Sequence, residues 1–143
     1  MERKPESKAP VDNGKPTLFV LCAPKDKDEL EELRIQLARR ANILSDDSVP
    51  PGGDFEEERR ILIDQSDGII LMLSASSAAK GLDEEAVRLA KSGKRCAPML
   101  VSAYDYPSSA VGRIQCMNRM KPVKTEDDWL TVNKEIRKVF NIP

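Results

Sequence analysis

Apolar and polar positions alternate in blocks along the chain, and the blocks predict strands and helices in turn. Short apolar runs bounded by turn residues are typical of buried strands; they are Thr17–Cys22, Ala41–Leu44, Ile69–Leu73 and Cys96–Val101. Apolar residues recur every three or four positions in the segments between them, which predicts amphipathic helices. These helices run from about Lys27 to Arg40, after Asp54, between Gly81 and Gly93, and from about Glu126 to Phe140.

This alternation of strands and helices predicts an α/β fold with a parallel sheet and helices on both faces. About five strands in the flavodoxin-like order 2-1-3-4-5 are expected, with Lys121–Val123 as a short edge strand. The helix after Asp54 is expected to bring Phe55, Ile61, Leu62 and Ile63 to the core. The last helix is expected to bury Leu130, Val132, Ile136, Val139 and Phe140.

Length and composition indicate one globular domain. The chain has 143 residues, of which 40% are apolar and 33% charged. Residues 1–15 are polar and proline-containing, which predicts a disordered tail or linker, and residues 16–143 form the expected domain. The N-terminus has no signal-peptide core and no apolar run is long enough for a membrane span, so a cytoplasmic location without membrane binding is expected. The net charge of −1 gives no basic footprint for nucleic acid.

The absence of histidine restricts the chemistry. It excludes Ser-His-Asp and Cys-His triads and most catalytic zinc sites, so no metal is expected. The three cysteines, Cys22, Cys96 and Cys116, are too few and too scattered for a disulfide framework. Acid–base or electrostatic catalysis would therefore depend on carboxylates, a lysine, a tyrosine or a thiol.

The segment after the third strand is the strongest candidate for a ligand site. Ser74–Gly81 forms a loop of small residues, and the next helix has Asp83, Glu84 and Glu85 in its first turn. Ligands of open α/β sheets bind outside the carboxyl ends of the strands. The loop hydroxyls could contact a ribose, and the amides that begin the helix could contact phosphate oxygens. The three acids could equally be first-turn residues that favour the helix dipole.

Several motifs follow the same order as in one known family. Phe19–Asp26 reads FVLCAPKD, and Ser45–Phe55 contains the run Val49-Pro50-Pro51-Gly52-Gly53. Ser66–Ser74 is an apolar strand with a terminal serine, and Ser102–Val123 has an acid–aromatic pair followed by Lys-Pro-Val. Over nearly all of residues 16–140 the chain resembles bacterial TIR (Toll/interleukin-1 receptor) domains. In this resemblance the segment from Ser45 is similar to the family's BB loop.

A second resemblance covers residues 60–100 only. Gly81, Glu85 and Gly93-Lys94 have the spacing of a motif in nucleoside 2-deoxyribosyltransferase-like proteins. In that group, and in TIR domains that cleave NAD, a glutamate of this helix is the key carboxylate. Both resemblances imply cleavage of an N-ribosyl bond with Glu85 as the catalytic residue, or Glu84 if the register differs by one.

The resemblance to TIR domains also implies the other site residues. The ligand would contact Cys22, Ala23, Ser74, Ser76, Ser77 and Gly81. Self-association, or binding to other TIR domains, would use Asp46, Val49, Pro50, Pro51, Gly52, Gly53 and Phe55. NAD would be a substrate, and no cofactor would be bound.

Three functions remain open at this stage. The first is a signalling domain that hydrolyses NAD or a related nucleotide when it self-associates. The second is a TIR-like interaction module whose catalysis has been lost, because Leu82 stands near Glu85 where active members have an aromatic residue to stack on nicotinamide. The third is a nucleoside deoxyribosyltransferase-like enzyme, against which the BB-like loop argues.

Overall fold

A sheet of four parallel strands forms the centre of the protein. The structure is a computed structural model that describes residues 14–102 and 122–143. Its elements in chain order are β1 (Thr17–Leu21), α1 (Lys27–Leu37), β2 (Asn42–Leu44), α2 (Phe55–Gln65), β3 (Gly68–Leu73), α3 (Ala75–Ala79), α4 (Leu82–Lys91), β4 (Cys96–Leu100) and α5 (Glu126–Val139). The strand order is β2-β1-β3-β4. The predicted α/β class and parallel sheet are confirmed.

Successive residues of each central strand contribute to two separate cores. Leu18 and Ile70 pack on one face with residues of α1 and α5. Phe19 and Ile69 pack on the other face with residues of α2 and α4. Because side chains alternate across a strand, a strand covered by helices on both faces must be apolar throughout. This explains why β3 is buried along its full length.

The fifth strand is not confirmed. Lys121, with which it was expected to begin, lies outside the described residues, and Pro122 and Val123 form no strand. The backbone N–H of Val123 donates to the carbonyl oxygen of Leu100 at 3.0 Å. This hydrogen bond joins the segment to the edge of β4, and among the described residues the sheet has four strands.

Two expectations about the core are wrong. Phe55, the first residue of α2, is 44% exposed, and Leu130 of α5 is 54% exposed. Trp129 is buried in place of Leu130. Leu130 lies off the stripe of α5 that faces the sheet. Phe55 has the helical spacing of the buried Leu62, seven positions later, but it is the first residue of α2 and remains exposed. Ile61 lies off the buried stripe of α2 and is only half-buried.

The segment after β3 is more regular than expected. Ser74 caps the short helix α3 by accepting a hydrogen bond from the Ser77 backbone N–H at 3.1 Å. The hydroxyl oxygen of Ser77 in turn accepts a hydrogen bond from the Ser74 backbone N–H, which completes a capping box. Two other helices also begin with side-chain caps: Asp54 accepts from the Glu57 backbone N–H, and Thr125 forms a capping box with Asp128.

Some sequence predictions lie outside the described residues. These are the tail over residues 1–13, the Asp105-Tyr106 pair and Cys116. Within the described ranges, no helix is both long enough and apolar enough to cross a membrane.

Candidate functional site

Loops from three neighbouring strands meet at the carboxyl edge of the sheet. Cys22 follows β1, Asp46 follows β2 and Ser74 follows β3. Because β1 lies between β2 and β3, the chain order reverses there, and such a switch point favours ligand binding. A crevice of about 440 Å³ opens beside these loops. Its lining residues include Cys22, Ala23, Lys27, Asp46 and Lys80.

A buried hydrogen bond closes the gap between the loops after β1 and β3. The hydroxyl of Ser74 donates to the carboxylate of Asp26 at 2.6 Å, and both residues are buried. Ser77 is also buried, and its hydroxyl donates to the Ser74 carbonyl oxygen at 2.9 Å. In this conformation the two serine hydroxyls that were expected to bind a ligand hold the loop together instead.

The other predicted ligand residues lie around this edge. Ala23 is buried in the crevice wall, and Ser76 is partly exposed on α3. Gly81 stands between α3 and α4 with a φ of +75°, a left-handed conformation that glycine adopts without strain. The structure thus brings Cys22 and Ala23 together in one crevice.

Cys22 has the environment of an unreactive thiol. Burial, followed by the nearby Asp26 carboxylate, raises the pKa of its thiol to about 12. Because only the thiolate is nucleophilic, and the folded state favours the neutral thiol, nucleophilic catalysis by Cys22 is disfavoured near neutral pH.

We expect native Cys22 to react with iodoacetamide at pH 8 roughly 1,000-fold more slowly than an ordinary thiol, whose pKa is about 8.5. The rate should increase about tenfold per pH unit as the thiolate fraction rises. Peptide mapping by mass spectrometry would follow Cys22, and the urea-unfolded chain would serve as the fast control. Rapid native labelling at pH 8 would contradict the burial seen here.

Glu85 lies in the first turn of α4 and forms a two-pronged ion pair with Arg59 of α2. Arg59 Nη1 donates to Glu85 Oε2 at 2.5 Å, and Nη2 donates to Oε1 at 2.9 Å. The two side chains are only 11% and 19% exposed, respectively. This bidentate geometry fixes the orientation of the carboxylate as well as balancing its charge.

The guanidinium of Arg59 joins two further parts of the fold to Glu85. Its Nε donates to Asp46 Oδ1 at 2.6 Å, and its central carbon, Cζ, lies 5.6 Å from the ring centroid of Phe19 on β1. Burial opposes the charge on Arg59, but the hydrogen bonds that it donates to Glu85 and Asp46 outweigh this effect and raise its pKa. Arg59 therefore remains a cation at every physiological pH.

A second cleft, of about 390 Å³, lies between α2 and α4. Glu85 and Arg59 line it, together with Leu89 and Ile63. The neighbouring Glu84 is exposed and does not line it. Of the two glutamates considered from the sequence, the structure places Glu85 in a cleft and Glu84 towards solvent.

The loop expected to mediate association begins as a clamped turn and continues as an exposed segment. Asp46–Ser48 form a 3-10 turn, and Asp47 accepts two hydrogen bonds from Arg34 of α1, at 2.8 and 3.1 Å. Val49 and Pro50 are partly buried. The remaining residues, Pro51, Gly52, Gly53, Asp54 and Phe55, are exposed. The same loop thus has a fixed start and an accessible tip.

Sequence reasoning missed Arg59 and Arg34. Arg59 precedes Leu62 and Ile63 by three and four positions, and Arg34 follows Leu30 by four. Each arginine thus occupies or borders the apolar stripe of its helix, where a charge needs a partner. The signal in the sequence that could have identified both arginines was a charged residue at helical spacing from core leucines.

The glycine–lysine pair of the second resemblance has a structural role at the opposite end of α4 from Glu85. The ammonium group of Lys94 donates to the carbonyl oxygens of Asp64 and Ser66, at the end of α2. These bonds satisfy carbonyl groups that the helix itself leaves unpaired. The position of Lys94 is therefore explained without a ligand.

Two searches returned no match. No protein-family model matches this sequence, and no curated protein matches it either. Within residues 14–102 and 122–143, no cluster of acidic, cysteine or histidine side chains is arranged to hold a metal ion.

Proposed function

We propose that this protein is a TIR-like signalling domain of the cytoplasm that hydrolyses the N-ribosyl bond of NAD or a related nucleotide, with Glu85 as the catalytic carboxylate. The observation that supports this proposal is the shelter of Glu85 in its cleft. The other acids that line the cleft, Asp54, Glu56, Glu57 and Asp64, are all exposed. A carboxylate shielded from water interacts more strongly with positive charge that develops nearby.

The reaction needs such a group. As the bond between the ribose C1′ and the nicotinamide nitrogen breaks, its electron pair goes to the nicotinamide, which leaves as a neutral ring. Positive oxocarbenium character develops on the ribose and would be stabilised by the Glu85 carboxylate. Water then adds to C1′ and releases a proton, which gives an ADP-ribose product. Neither histidine nor a metal is required.

The crevice at the carboxyl edge of the sheet supplies a plausible place for the rest of the nucleotide. Lys27 and Lys80 line it, and their positive charges would suit a diphosphate. Its volume of about 440 Å³ lies within the range of small-molecule sites. Lys80 immediately precedes Gly81 and the helix of Glu85, so this crevice and the carboxylate belong to neighbouring parts of the fold.

The test is nicotinamide release from NAD by the purified protein at high concentration, where association is favoured. Glu85→Gln should lower turnover at least about 100-fold, because the negative charge is lost while an oxygen remains to accept from Arg59. Glu84→Gln is the matched control and should retain wild-type turnover. Circular dichroism would confirm that both variants are folded.

Each other outcome has a defined meaning. If only Glu84→Gln were inactive, the reaction would stand and the assignment to Glu85 would be wrong. If the wild type formed assemblies without turnover, the protein would be an interaction module instead. The exposed segment from Pro51 to Phe55 favours this second candidate and also supports self-association or binding to other TIR domains. The deoxyribosyltransferase alternative is weaker, because Lys94 caps α2.

A further inference from the structure

We propose that Arg59 is an inhibitory latch, which holds Glu85 in an unreactive ion pair and ties it to the start of the loop over residues 45–54. This inference rests on the proposed function, because it concerns the control of the same carboxylate. Its basis is the position of a buried cation that neither resemblance assigns. Arg59 contacts the reactive group on one side and the loop on the other.

The first argument is competition for the carboxylate. Both oxygens of Glu85 accept hydrogen bonds from Arg59, at 2.5 and 2.9 Å. A ribose that develops positive charge would need the same carboxylate at close range. The guanidinium already supplies a full positive charge there, so it occupies the position that the reacting sugar would take. Glu85 becomes available only when Arg59 moves away.

The second argument is that Arg59 separates the two clefts. Asp46 lines the crevice at the carboxyl edge, whereas Glu85 lines the cleft between α2 and α4, and the two sets of lining residues do not overlap. Arg59 bonds to both acids and stands between them. Displacement of its side chain would join the clefts and bring Glu85 into contact with a nucleotide bound at the carboxyl edge.

The third argument concerns what could move the latch. Because Nε of Arg59 is bonded to Asp46, a shift of the loop pulls on the guanidinium directly. A second arginine, Arg34, also ties this turn, through Asp47, but it makes no hydrogen bond or ion pair to Glu85. Replacing each arginine in turn therefore separates the effect of loosening the loop from the effect of freeing Glu85.

The test compares Arg59→Met with Arg34→Met at a protein concentration at which size-exclusion chromatography finds the wild type monomeric. Loss of the latch raises the fraction of molecules with a free Glu85, and turnover rises with that fraction. Nicotinamide release should be about tenfold faster in Arg59→Met than in the wild type. Arg34→Met loosens the loop but leaves the bonds between Arg59 and Glu85 in place, so it should raise the rate much less. Arg59→Lys, which keeps the charge but loses the planar fork, should show a smaller increase and serves if Arg59→Met does not fold.

Slower turnover in folded Arg59→Met would overturn the latch and make Arg59 a residue that positions Glu85. Equal activation by Arg34→Met would also overturn it, because loop mobility alone would then suffice. If the wild type and all variants lacked turnover at every concentration, the proposed function would fail. Hydrogen exchange would then test the latch. Faster exchange of amides 82–86 in Arg59→Met but not in Arg34→Met would support it, and unchanged exchange of these amides in Arg59→Met would overturn it.

Discussion

Replacing Glu85 by leucine should lower the free energy of unfolding by about 2–4 kcal/mol. The substitution leaves the guanidinium of Arg59, whose side chain is 11% exposed, with only Asp46 as a charged partner. A charge that is buried and loses a partner is far more costly than a missing surface contact. Urea denaturation followed by circular dichroism would measure the change.

The double variant gives the sharper result. Arg59→Met with Glu85→Leu replaces the ion pair by apolar groups of similar length, and its stability should lie within about 1 kcal/mol of the wild type. The exposed pair Arg60–Glu57, with side chains 58% and 52% exposed, provides the control. Its double-mutant cycle should give a much weaker coupling than the cycle at Arg59 and Glu85, because solvent screens an exposed pair. Additive losses at Arg59 and Glu85 would contradict the coupled pair.

Much of the fold could be predicted from the sequence because burial on both faces leaves a clear pattern. β3 is apolar from Ile69 to Leu73, and a short apolar run bounded by turn residues is typical of a strand covered on both faces. Helix ends were also predictable, since Asp54 and Thr125 cap by local hydrogen bonds to residues three positions away. These features depend on near neighbours in the chain.

The errors have a different origin. Phe55 is the first residue of α2, and whether a residue at a helix end is covered depends on the neighbouring elements rather than on spacing. Leu130 lies off the buried stripe of α5, and its neighbour Trp129 is buried instead. Ser74–Gly81 was expected to be a loop of small residues. Its capping box, formed by Ser74 and Ser77, instead stabilises one helical turn.

The candidate site was only partly accessible to sequence reasoning. The position of Glu85 near the carboxyl edge followed from element order, but its partners come from other elements: Arg59 lies 26 residues earlier in the chain. The hydrogen bond between Ser74 and Asp26 spans 48 residues in the same way. Which side chains pair across such separations depends on how the helices and loops pack against one another. The spacing of residues in a single sequence does not reveal that packing.

The same buried ion pair connects stability and control. Arg59 helps to hold α2, α4 and the turn at Asp46 together, and it also occupies the carboxylate that the proposed reaction would use. A native interaction that must break for activity stabilises the inactive conformation at the expense of the active one. Variants that weaken the pair are therefore expected to trade stability for turnover.

Gly68→Ala should destabilise the protein by about 1–3 kcal/mol, through overpacking at the start of β3. A Cβ atom at this position would lie 2.2 Å from Cε1 and 2.6 Å from Cδ1 of the Phe140 ring. Contacts that short require the ring, or the C-terminal end of α5, to shift. Thermal or urea unfolding of the variant would measure the loss. Gly53→Ala is the matched control, because its Cβ would meet only the flexible Glu58 side chain, at 3.5 Å.

Removing the ring should abolish this penalty. In a Phe140→Ala background, Gly68→Ala is expected to change stability by less than about 0.5 kcal/mol, because the new methyl group then enters the space that the ring has left. Phe140→Ala alone loses packing against the core shared with α1 and is expected to be destabilising itself. The informative quantity is therefore the coupling between the two positions. A full penalty for Gly68→Ala without the ring would show that the glycine is required by the backbone and not by Phe140.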